Sequence, residues 1–93
     1  MATKRKIVSP LRVGNAVFIR TVTMYYTGRV EEINKDSILL SDAAWIADAG
    51  RFSEALKTGN LNEVEPFPLP VEISRGAVVD VTTWNFPLPI AVK

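Results

Sequence analysis

The chain has no cysteine and no histidine. Without cysteine there is neither a disulfide framework nor a thiolate metal site. Without histidine, the commonest general base, the commonest zinc ligand and the usual partner of a serine nucleophile are all missing. A glycine-rich phosphate loop is missing too. The carboxylates nearest to apolar segments, Asp42, Asp48, Glu54 and Asp80, show neither a paired spacing nor a metal-binding pattern. These gaps lower the prior for catalysis, and the expectation is a protein that is not an enzyme, with no catalytic residues, no metal and no cofactor. No apolar run approaches the ~18–20 residues of a membrane span, and the start lacks a secretory hydrophobic region. The expected setting is cytoplasmic, away from membranes. There is no repeat at a solenoid period and no low-complexity tract.

What is present is one domain's worth of chain. At 93 residues it lies near the lower end of what hydrophobic burial alone can fold. Apolar residues make up 47% and charged residues 23%, an ordinary globular mixture. The net charge of +1 conceals an asymmetry. Lys4, Arg5, Lys6 and Arg12 face no acid in the first fourteen residues. The remainder carries seven bases against ten acids. A net-acidic body is a poor generic binder of phosphate backbones, so any such affinity falls to the arm or to a few focused arginines. The plainer reading of residues 1–12 is a solubilising N-terminal arm.

From Ala16 to Met24, β-branched and aromatic residues run without a breaker, which favours a strand. Alternation places Val17, Ile19 and Thr21 on one side, with Phe18, Arg20 and Val22 on the other, so both sides are partly apolar. The stretch Tyr25–Ala43 reads as a strand with a bend or a hairpin turn at Gly28. A turn follows at Asn34-Lys35-Asp36, then a returning strand that buries Ile38 and Leu40. Tyr25 and Tyr26 are adjacent and therefore point to opposite sides. Phe52, Ala55 and Leu56 form one helical stripe, with Lys57 in the last turn and Gly59 as a C-cap. This predicts a short helix over about 51–58, docked through Phe52 and Leu56. Residues 60–70 hold three of the six prolines and read as an extended loop. Val71–Ile73 and Ala77–Thr82 are the last strands, joined by Ser74-Arg75-Gly76. A proline-rich tail, 84–93, carries Trp84 and Phe86, whose side chains need a surface on this domain or on a neighbouring copy. The order predicts a mainly β domain over 13–83. It would be a small five-stranded SH3-like or Sm-like barrel, with a helical insertion at 44–70 between the third and fourth strands.

The segments GRVEEINKDSILLSDA and ISRGAVVDV resemble the two motifs of Sm-like proteins. VGNAVFIRTVT, YYTG, DAAWIADAGRF, EVEPFP and RGAVVD are also similar to a family of small uncharacterised phage and bacterial proteins. The first resemblance implies a homo-oligomeric ring in which Arg75 helps to hold a base or phosphate, near Asn34, Asp36 and Ser37 on the facing loop. The second implies a compact, phage-encoded protein acting in the host cytoplasm.

Each candidate residue has a plainer role beside the functional one. Arg75 serves equally as a turn arginine paired with Asp80 or solvent, and Asn34, Asp36 and Ser37 as ordinary turn residues. Tyr25 or Tyr26, next to Arg20 or Arg29, suits base stacking or core packing. Trp45 with Arg51 suits a stacked, anionic ligand, and Trp45 with Phe52 suits a cap on the barrel. Three functions follow. The first is an oligomeric binding protein for a small nucleotide, one that sequesters a nucleotide immune signal. The second is an RNA-binding ring that uses the basic arm. The third is a structural or protein-interaction barrel, a virion component or adaptor, acting through the PFPLP and NFPLP segments.

Overall fold

The computed structural model describes residues 7–93. Lys4, Arg5 and Lys6 of the basic arm lie outside the described residues. The described residues form six antiparallel strands, one short helix and one 3-10 turn. In order these are β1 (Ala16–Thr21), β2 (Tyr25–Ile33), β3 (Ser37–Asp48), α1 (Phe52–Thr58), β4 (Glu63–Pro66), β5 (Val71–Ser74), the 3-10 turn Arg75–Ala77, and β6 (Val78–Thr83). They make one open sheet in the order β4-β3-β2-β1-β6, and β5 pairs with the first half of β3.

Three expectations are corrected here. There are six strands rather than five, because Glu63–Pro66 within the proline-containing stretch pairs with β3. It does so at the edge of the sheet, where proline is tolerated. β3 runs on to Asp48, so the segment outside the sheet begins well after residue 44. Its alanines are compatible with a strand because cross-strand packing outweighs their weak β preference. β1 ends at Thr21 rather than Met24 and the tight turn falls at 22–24, so of the two readings of Gly28 it is the hairpin turn that is excluded. The Thr21 hydroxyl closes that turn by donating to the Met24 carbonyl at 2.7 Å and accepting from the Met24 amide at 2.9 Å.

Gly28 lies inside β2, where the sheet bends. An added Cβ there would sit 3.1 Å from Leu40 Cβ and 3.3 Å from Ala43 Cβ, so a side chain would require Leu40 and Ala43 to give way by a few tenths of an ångström. Beside it β3 carries an extra residue: Thr27 pairs with Ala44, and Arg29 with Ser41. Asp42 falls in this bulge with φ 47°, a left-handed conformation that Asp tolerates better than most residues.

Alternation along the strands gives the sheet two apolar faces. One carries Val17, Ile19, Val30, Ile38, Leu40, Ala43 and Ile73. The opposite face carries Phe18, Ala44, Ile46 and Val64, and packs against Ala55 of α1, Leu61 and Trp84. This is why β1 is apolar on both sides. The helix docks through buried Ala55 with Phe52 and Leu56 beside it, as the stripe predicts. Its C-cap is Gly59 in the left-handed conformation, with its amide donating to the Ala55 carbonyl. Trp84 stacks at 5.8 Å on Phe18 and meets Phe86 edge-on at 5.1 Å. The tail thus uses its own domain as its surface. Its last residue exchanges two backbone hydrogen bonds with Val64, of 2.9 and 3.0 Å, along the outer edge of β4.

Candidate binding site

The residues proposed for a ligand site separate into two groups. Arg75, Asn34, Asp36 and Ser37 come together at one end of the molecule. The Arg75 amide donates to the Asp36 carbonyl at 2.9 Å. Its guanidinium donates to the Asn34 carbonyl at 3.0 Å. The Asn34 side-chain amide donates to Ser37 Oγ at 3.3 Å, and Ser37 Oγ donates to Glu72 at 3.1 Å. This is a turn held by its own polar groups, with the backbone amide and one guanidinium nitrogen of Arg75 committed to it. The alternative partner of Arg75, Asp80, is engaged elsewhere. Arg20 forms a bidentate ion pair with Asp80, with Nε donating at 2.9 and 3.0 Å and a second, shorter contact from Nη2. The guanidinium also lies 4.5 Å from the centre of the Phe52 ring. The Asp80 carboxyl is held below its ordinary range by the hydrogen bonds from Arg20, against a smaller opposing effect of desolvation.

Tyr25 and Tyr26 do point to opposite sides. Tyr25 packs against Phe18 with ring centres 5.8 Å apart, on the face covered by α1. Tyr26 lies on the other face, where it enters the second group. In that group Tyr26 pairs with Trp45 across β2 and β3, and Trp45 pairs with Glu65 across β3 and β4. Strand alternation therefore lines the three side chains up in one row, opposite the row Tyr25, Ile46 and Val64. Phe67 stacks on Tyr26 at 6.1 Å with the rings 22° apart. It is fixed there because its amide donates to the Ala43 carbonyl at 2.8 Å. The Tyr26 hydroxyl reaches the Met24 sulfur at 3.5 Å.

The result is an open groove of about 410 Å³ lined by Met24, Tyr26, Trp45, Glu65, Pro66, Phe67 and Val71. Trp45 is 39% exposed and Met24 is 42% exposed, so both present apolar surface to the groove. A second hollow of about 440 Å³ adjoins it, sharing Met24 and Trp45 and running past Thr21, Tyr25 and Asp48 to Gly50. Glu65 and Asp48 are the charged residues along the two; no base lines either one. Arg51 sits exposed at the start of α1 and lines neither hollow, so the expected Trp45–Arg51 stack is not formed around them.

Of the groove residues, the sequence points to Trp45, and to Tyr25 or Tyr26 as a stacking residue, of which Tyr25 turns out to pack on the opposite face. The sequence reading missed Met24, Glu65, Phe67 and Val71. The available signal was the run Met24-Tyr25-Tyr26, one methionine and two adjacent aromatic residues. The stack of Phe67 on Tyr26 has no local signature, because it depends on a register 41 residues apart. Among the described residues there is no group of three His, Cys, Asp or Glu side chains placed to hold a metal ion, and no helix is long and apolar enough to cross a membrane. The chain matches no protein-family description, no curated protein and no solved structure, so the resemblances to Sm-like and phage proteins rest on their motifs alone.

Proposed function

We propose that this protein is a non-enzymatic protein-interaction module whose groove around Trp45 takes a short apolar segment of a partner protein. The observation that carries this reading is the row Tyr26–Trp45 with Phe67 and Met24. It is an aromatic and thioether surface gathered into one open groove, whereas Val79, the exposed apolar residue of β6, lines neither hollow. Aromatic side chains offer large contact area at low cost in conformational entropy, and methionine adapts to irregular apolar ligands. A groove this small implies a transient complex in the micromolar range or weaker. The sheet is best understood as an SH3-like or Sm-like barrel. β5 and β6 are joined by one 3-10 turn and pair with β3 and β1 on either side of the β1-β2-β3 ribbon. The test is a titration of labelled apolar peptides followed by anisotropy and by tryptophan fluorescence. Trp45→Ala abolishes binding while Trp84 keeps the fold. Equal binding by wild type and Trp45→Ala overturns the reading.

A second reading keeps the nucleotide. It is favoured by the convergence of Arg75, Asn34, Asp36 and Ser37, the loop pair that the Sm-like resemblance assigns to a base or phosphate. Here a homo-oligomeric ring binds a small nucleotide, or RNA with the help of the basic arm. Native mass spectrometry after incubation with linear and cyclic nucleotides tests it. A monomer that retains no nucleotide, with Arg75→Ala behaving as wild type, removes it.

A further inference from the structure

We infer that the groove selects an apolar partner segment flanked by lysine or arginine. This rests on the peptide reading of the groove and adds the charge of the partner. Glu65 stands opposite Trp45 and lines the groove itself. Glu63 lies two residues earlier on β4, on the same outward side, because Val64 between them is buried. Asp48 pairs with Glu63 and lines the adjoining hollow. Glu65 and Asp48 therefore line the apolar surface, and Glu63 stands beside them as the cross-strand partner of Asp48. None of them has a basic side chain as partner: the one ion pair among the described residues is Arg20–Asp80. Asp48 is held by the Gly50 amide at 2.8 Å, which fixes its position without neutralising it. Lys93 approaches β4 through its backbone bonds to Val64 and forms no ion pair with Glu63 or Glu65. An acidic rim on an uncharged floor repels an acidic segment and attracts a basic one, and the effect is screened by salt.

The chain supplies a probe for the apolar part. Its two Phe-Pro-Leu-Pro stretches each rest the phenylalanine on an aromatic ring, Phe67 on Tyr26 and Phe86 on Trp84. A fluorescent peptide with a Phe-Pro-Leu-Pro core is made with two lysines, two glutamines or two glutamates on each side and titrated against the full chain. At low salt the lysine form binds about fivefold or more tightly than the glutamate form, with the glutamine form between them. The difference collapses at ~0.5 M salt, where screening is strong. The variant carrying Glu63→Lys and Glu65→Lys reverses the order. Both sites are exposed, and the milder pair Glu63→Gln and Glu65→Gln should narrow the spread among the three peptides, with Asp48 left to keep a remainder, without touching the fold.

Peptides that bind equally whatever their flanks, or an order that survives the charge reversal, overturn the inference and leave the groove reading standing. Failure of all three peptides to bind overturns both. Self-association of the wild type that Trp45→Ala abolishes, with no peptide binding, assigns the groove to a second copy of this chain instead and overturns the inference.

Discussion

Thr27 sits in the middle of β2, between Phe18 on β1 and Ala44 on β3. It is 0% exposed, and its hydroxyl has no hydrogen-bond partner. A buried hydroxyl that has lost water without gaining a partner costs about 1–3 kcal/mol. Thr27→Val removes the hydroxyl, keeps the β-branch that suits a strand, and puts a methyl group against the same apolar neighbours. Burying that methyl contributes about 0.8 kcal/mol. The methyl is slightly larger than the hydroxyl, and crowding beside Phe18 and Ala44 takes back part of the gain. The net expectation is stabilisation by about 1–2 kcal/mol. For a domain of this size that corresponds to a rise in Tm of roughly 4–8 °C per kcal/mol. Urea unfolding should show a higher midpoint with an unchanged slope. Thr27→Ser provides the control, since it keeps the hydroxyl and loses the methyl. It should destabilise by about 1 kcal/mol. If Thr27→Val is instead less stable than wild type, the hydroxyl has a partner and the description of this interior is wrong.

Other substitutions test the remaining joints of the structure. Gly28→Ala should lose about 1–3 kcal/mol by forcing Leu40 and Ala43 apart, visible as a lower urea midpoint; a neutral result would mean that the bend does not depend on close approach. Gly59→Ala combines a left-handed backbone with a Cβ 2.6 Å from the Phe86 ring, so it should cost at least about 1 kcal/mol and detach the tail, read as faster amide exchange at Val64 and Lys93. Asp80 has a carboxyl pKa lowered from 3.8 by Arg20. The stability it contributes is therefore complete above that value and is lost as pH falls through it toward the lower folded value. The advantage of wild type over Asp80→Asn should accordingly be present at neutral pH, shrink below pH ~4 and weaken with salt, because both side chains are partly solvated. An advantage unchanged down to pH ~2 would refute the pairing.

Local chemistry made much of this fold legible. The turn at 34–36, the helix stripe with its glycine cap, and the two-sided apolar pattern of β1 all depend on neighbours within a few residues. Elsewhere the deciding contacts were distant. Glu63–Pro66 became a strand because β3 offered it an edge, and β3 continued through an alanine-rich stretch because Val64 and Tyr25 packed beside it. Nothing near those residues announces either partner. The candidate site divided the same way. The convergence of Arg75 with Asn34 and Asp36 was implied by the Sm-like resemblance, which sets the Arg-Gly turn against the loop at 34–37. Tyr26, Trp45, Glu65 and Phe67 are brought together only by the registers of three strands and one loop hydrogen bond. Arg51 is close to Trp45 in sequence, whereas the neighbours that the fold gives Trp45, Tyr26 and Glu65, come from other strands.

The central claim is that the surface around Trp45 is where this protein meets its partner. Its most direct test is to record amide and side-chain NMR shifts of the full chain during titration with the lysine-flanked Phe-Pro-Leu-Pro peptide. Shifts confined to Met24, Tyr26, Trp45, Glu63, Glu65, Phe67 and Val71 are predicted, saturating with one peptide per chain. Shifts centred on Asn34–Ser37 and Arg75, or no saturable shifts at all, would contradict it.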